Sequence, residues 1–199
     1  MELQHKQRLL RKIKRNNGGG ATVEWLDVYF DPPSSTYINS SESRTSDGGI
    51  HDDLKAALAP FAEHLALICE EVPDPKGNYN FDGSIKGLEK FSVGSVVIRG
   101  GDGDPDGLDE TKPMQCFIFG NKRLKSGHKT NFGTPGIKPE SPQESYKFGS
   151  HLAQHVATLT EEVWQYLAGK HAPVAQTALN LEGANADDGE DVKLLEEAN

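Results

Sequence analysis

Residues 52–72, DDLKAALAPFAEHLALICEEV, decide the fold class. Leu54, Leu58, Phe61, Leu65, Ile68 and Val72 recur at intervals of four, three, four, three and four, so they fall on one helical stripe that needs an apolar partner. Asp52 and Asp53 stand in the first turn, where carboxylates suit the positive end of the helix dipole. Pro60 removes a backbone hydrogen bond and predicts a kink or a division, and Pro73 and Pro75 end the segment.

Outward from this helix the pattern is that of strands. Residues 22–30 (TVEWLDVYF) are dense in β-branched and aromatic side chains and stop at Asp31-Pro32-Pro33. Residues 36–46 (TYINSSESRTS) are polar and suit an exposed edge strand or a hairpin arm. Residues 91–99 (FSVGSVVIR) and 114–120 (MQCFIFG) suit central strands, and residues 129–134 a strand that pairs back across 121–128. A second helix is predicted over 145–170, with Phe148, Leu152, Val156, Leu159 and Val163 on one face and Gly169 near its end. The expected fold is α+β: two layers, a largely antiparallel sheet of about five strands, and two long helices packed on one face. The strands follow one another too closely for helical crossovers, which disfavours a doubly wound nucleotide-binding fold.

Charge divides the chain further. Of 199 residues, 35% are hydrophobic and 26% charged, with a net charge of −9. Residues 1–15 hold six Lys/Arg against Glu2, whereas residues 172–199 hold seven acids against Lys193. With Asn16-Asn17-Gly18-Gly19-Gly20 read as a flexible link, residues 1–20 are expected to be a basic N-terminal segment and linker, 21–171 a single domain, and 172–199 a disordered acidic tail. An acidic chain does not coat duplex DNA with its whole surface, so any contact with nucleic acid must be local. No run approaches the roughly 18 apolar residues that span a bilayer, and residues 1–15 do not resemble a leader, so a soluble cytoplasmic protein without membrane contact is expected.

Several motifs begin a chemistry and do not finish it. Residues 101–110 (GDGDPDGLDE) start like a calcium loop, but counting from Asp102 the twelfth position is Pro113 where a Glu is required. Residues 120–130 (GNKRLKSGHKT) have the composition of a phosphate-binding loop with the wrong spacing and no following helix. His151 and His155 lie one helical turn apart, yet HLAQH lacks the glutamate of a zinc protease. Cys69 and Cys116 stand in apolar stretches, as buried thiols or one buried disulfide, and Trp25 and Trp164 suit the core. No metal, cofactor or catalytic constellation is expected.

What remains is the hairpin. Lys122, Arg123, Lys125 and Lys129 lie close to Phe132, with Phe117 and Phe119 just before, and no acid intervenes. Cations that follow phosphates beside rings that stack on bases are what single-stranded nucleic acid requires, although Phe117 and Phe119 also suit a core. The N-terminal QHKQRLLRKIKR could contact nucleic acid or an acidic partner, or simply solvate the start of the chain.

The order of a strand, a polar strand, HDDLKAALAPFAEHLALIC, a strand entering an acidic loop, KRLKSG-HKTNFGTP and EEVWQYLAGK resembles small proteins encoded in tailed-phage and prophage genomes, over residues 23–170. That resemblance implies the cytoplasm of a bacterial host and an accessory viral role, and carries over no catalytic residue. The expected function is a non-enzymatic accessory factor of phage nucleic-acid metabolism that contacts single-stranded DNA, with the acidic tail as a docking or self-inhibiting segment. The alternative is a protein-binding module that inhibits or redirects a host factor through an acidic, nucleic-acid-like surface.

Overall fold

The computed structural model describes residues 3–75, 79–100, 113–139 and 146–172. It is an α+β fold on a six-stranded antiparallel sheet. The strands are β1 (Gln4–Arg15), β2 (Ala21–Asp31), β3 (Thr36–Ser46), β4 (Phe91–Arg99), β5 (Gln115–Arg123) and β6 (Lys129–Gly133), in the spatial order β3-β2-β1-β4-β5-β6. The helices are α1 (Asp52–Leu58), α2 (Pro60–Ile68) and α3 (Gly149–Leu167). Pro60 does divide the long amphipathic segment: α1 ends at Leu58, Ala59 caps it, and α2 begins with the proline in its first turn. The acidic loop at 101–110 and the tail beyond Ala172 lie outside the described residues.

The largest departure from expectation is at the N-terminus. The basic residues Gln4–Arg15 are not a segment set apart by a link but a strand: β1 pairs with β2 on one side and β4 on the other, adding the sixth strand. The Asn-Gly run closes the β1–β2 hairpin instead, with Asn16 N–H donating to Gly20 O at 2.8 Å and Gly19 at φ +90°. A Cβ on Gly20 would stand 2.0 Å from the Ser46 carbonyl oxygen, so the turn sits against the end of β3. The strand signal is obscured because the register shifts between Leu10 and Lys12. This bulge turns Leu10 and Ile13, three residues apart, both into the core.

Alternation along the strands separates two sets of side chains. The inner set, which includes Leu10, Ile13, Val23, Val93, Val96, Ile98, Cys116 and Ile118, is buried in one cluster with Leu54, Phe61 and Leu65 of α1 and α2 and Leu152, Leu159 and Val163 of α3. Tyr166 ties α3 to the sheet: its hydroxyl donates to Gly48 O at 2.7 Å and accepts the Ala21 N–H at 3.2 Å. Trp25 and Trp164 meet edge to face at 6.4 Å and pack against the core.

Candidate nucleic-acid interface

Topology brings together the two basic segments that the sequence separates. β1, β4, β5 and β6 are consecutive in the sheet, and together they carry ten Lys/Arg and no Asp or Glu. The outer side-chain set of these strands contains Lys12 and Lys14 on β1, Ser95, Val97 and Arg99 on β4, Phe117, Phe119, Asn121 and Arg123 on β5, and Lys129 and Asn131 on β6. Register fixes the rows across the sheet: Lys14 opposes Ser95, which opposes Phe119, which opposes Gly133. A parallel row runs from Lys12 through Val97 to Phe117, and Arg123 opposes Lys129.

The aromatic members are surface groups on a polar field. Phe119 is 43% exposed, and Gly133 beside it leaves room for its ring, since a Cβ there would stand 2.9 Å from Phe119 Cδ1. Phe117 is half-buried beneath the Arg99 guanidinium, whose carbon lies 5.0 Å from the ring centroid. Lys12 is engaged by Glu24 of β2 at 2.6 Å, whereas Lys14, Arg123 and Lys129 make no ion pair among the described residues.

The five residues singled out from sequence are thus divided. Arg123 and Lys129 stand opposite each other on the outer side, and Lys125 lies exposed in the turn that joins their strands. Lys122 and Phe132 belong to the inner set. The Lys122 ammonium is paired with the Glu71 carboxylate and lies 5.3 Å from the Phe91 ring centroid, and Phe132 meets Phe91 at 6.3 Å and packs against the core. Lys122 is therefore neutralised where it stands, and Phe132 is a packing residue. Sequence reading missed Lys12, Lys14 and Arg99 as companions of the hairpin, because only the sheet order makes them neighbours.

The other candidates resolve into packing. His155 does not pair with His151 as a metal clamp: its Nδ1 lies 2.9 Å from Nε2 of fully buried His64, whose Nδ1 lies 2.6 Å from the Tyr146 hydroxyl. This chain is satisfied with Tyr146 donating to His64 and His64 donating to His155. Burial, then the neighbouring His155 and His151, holds His64 down to about 2, so it is neutral at ordinary pH. Nearby, Tyr79 donates to the buried carboxylate of Glu63, which also accepts the Gly83 N–H at 3.1 Å. Cys69 and Cys116 are free thiols, not a disulfide, and burial pushes Cys116 up to about 12, far from a reactive thiolate. On β2, burial raises Asp27, but hydrogen bonds from Arg8, Trp25 and His5 outweigh it and hold the carboxyl down to about 2.

No protein-family description, curated protein or solved structure matches the chain. No helix among the described residues is long and apolar enough to cross a membrane.

Proposed function

We propose that the protein is a non-enzymatic binder of single-stranded nucleic acid. It uses the outer side of β1, β4, β5 and β6, with the helices packed on the other side of the sheet. One observation carries this: the outer side of four adjacent strands that contain no acid holds Lys12, Lys14, Arg99, Arg123 and Lys129, in a chain of net charge −9. Neutralising phosphates supplies affinity for nucleic acid, and on this side Lys14, Arg123 and Lys129 are not already paired with an acid among the described residues. Phe119 and Phe117 supply ring faces among those cations, which suits unpaired bases better than a closed duplex. The setting is that of an accessory factor in the cytoplasm of a phage-infected bacterium, and the acidic segment 172–199 competes with nucleic acid for the basic strands.

Fluorescence anisotropy of a labelled oligothymidylate, titrated with salt, tests the proposal. Affinity falls as salt rises, and Arg123→Ala or Lys129→Ala each reduces the salt slope by about 1. Truncation after Ala172 strengthens binding at low salt. Absence of binding at low salt in both the full chain and the truncation rejects the proposal and favours the protein-binding alternative.

A further inference from the structure

Away from that surface, three side chains with metal-binding atoms converge where the start of α1 meets α3. His51 caps α1, its Nδ1 accepting the Leu54 N–H at 3.2 Å. Its side chain is only 6% exposed, and its Nε2 has no hydrogen-bond partner. Because Nδ1 accepts, the hydrogen of the neutral ring is on Nε2, a buried donor left unanswered. This atom is directed at Glu162, whose Oε2 is 3.7 Å away. One ring nitrogen of His51 and one carboxylate oxygen each from Asp53 and Glu162 all lie within 4.8 Å of one another.

Lys170 meets the two carboxylates, its ammonium lying 2.6 Å from Asp53 Oδ2 and 3.1 Å from Glu162 Oε2, with Gln165 Oε1 at 2.8 Å. It cannot satisfy His51, because an ammonium and an imidazole N–H are both donors. A metal cation would take the two carboxylates as they stand, and His51 in the tautomer that carries its hydrogen on Nδ1 and frees the Nε2 lone pair. Donor atoms about 2.1 Å from a shared zinc ion are about 3–4 Å apart, a range that the 3.7 Å between His51 Nε2 and Glu162 Oε2 already meets.

We propose that His51, Asp53 and Glu162 form a site for a divalent transition-metal ion of the zinc class, with the Lys170 ammonium as the counter-ion that the metal displaces. One imidazole and two carboxylates make a nitrogen and oxygen donor set of the kind zinc takes, water completing the shell. A cavity of about 320 Å³, lined by Asp53, Ala57, Pro60, His155, Thr158 and Glu162, gives water a route to two of the three ligands. The two carboxylates balance the charge of the ion. Coordination through Nε2 moves the imidazole hydrogen to Nδ1, so the Leu54 N–H loses its acceptor as the metal enters. The site is independent of the nucleic-acid surface.

Calorimetric titration of the full chain with zinc chloride, accompanied by amide hydrogen exchange, tests this. One zinc binds per chain. Asp53→Asn, at an exposed position that leaves packing intact, and Glu162→Gln each weaken it at least roughly tenfold. Lys170→Ala, which removes the competing ammonium, binds zinc at least as tightly as the unaltered chain, and the Leu54 amide exchanges faster in the zinc-loaded protein. Lack of stoichiometric binding, or binding that persists unchanged in the Asp53→Asn/Glu162→Gln double variant, overturns the proposal.

Discussion

Two inner cations of the sheet, Arg8 and Lys122, and three outer ones, Lys14, Arg123 and Lys129, hold their charge in different ways. The two inner cations are matched: Arg8 forks onto Asp27 at 2.7 and 3.0 Å and lies over Trp25 and Trp164, and Lys122 pairs with Glu71. On the outer side Lys14, Arg123 and Lys129 stand in acid-free strands without an ion-pair partner among the described residues. A charge beside a core needs a partner to offset its desolvation, whereas a charge in water needs none and remains available to a ligand. Adjacent residues on one strand can therefore serve stability and binding separately.

Neighbours Ile118 and Phe119 offer the largest test of this division. Ile118 is fully buried, so Ile118→Ala costs about 2–5 kcal/mol in denaturant unfolding. Phe119→Ala, one residue on, leaves the unfolding midpoint nearly unchanged and weakens oligonucleotide binding by about 1–3 kcal/mol. An equal loss of stability in both would break the comparison.

The buried histidine extends it to pH. His64 is held down to about 2 when folded and has an ordinary value of 6.5 when unfolded, so the unfolded chain takes up a proton that the folded one refuses. Its contribution is present in full above pH 6.5 and is lost as pH falls toward about 2, with a slope of up to about 1.4 kcal/mol per pH unit. Urea unfolding from pH 7.5 to 4.5 measures it, and His64→Phe flattens the slope if the His64 ring is its source.

The smallest effects discriminate most finely. Arg123→Ala lowers the salt slope of oligonucleotide binding by about 1, whereas Lys122→Ala, already paired with Glu71, leaves it unchanged. Equal slopes for the two variants would mean that the sides of β5 are not distinct in function.

Much of this was legible in the sequence, for identifiable reasons. The spacing from Leu54 to Val72 is helical because one stripe must be buried, and Pro60 divides it because a backbone donor is missing. The polar run at β3 reads as an edge strand because little of it packs against the core. β1 was hidden because a bulge replaces alternation with an interval of three, and because Gly18-Gly19-Gly20 serves a turn as readily as a link. In the site, the cluster of cations was visible but its division was not. Lys122 and Arg123 are adjacent in sequence and face opposite ways, and the union of β1 with β5 and β6 depends on a sheet order no local pattern carries. His51, Asp53 and Glu162 likewise meet only because α1 packs against α3.

Photo-crosslinking to a bromodeoxyuridine oligonucleotide, followed by mass spectrometry of the attached peptides, tests the central claim most directly. The account predicts attachment at Phe117 and Phe119 on β5, reduced when Arg123 and Lys129 are both replaced by alanine. Attachment centred on α3 or on the inner residues Phe91 and Phe132 would contradict it.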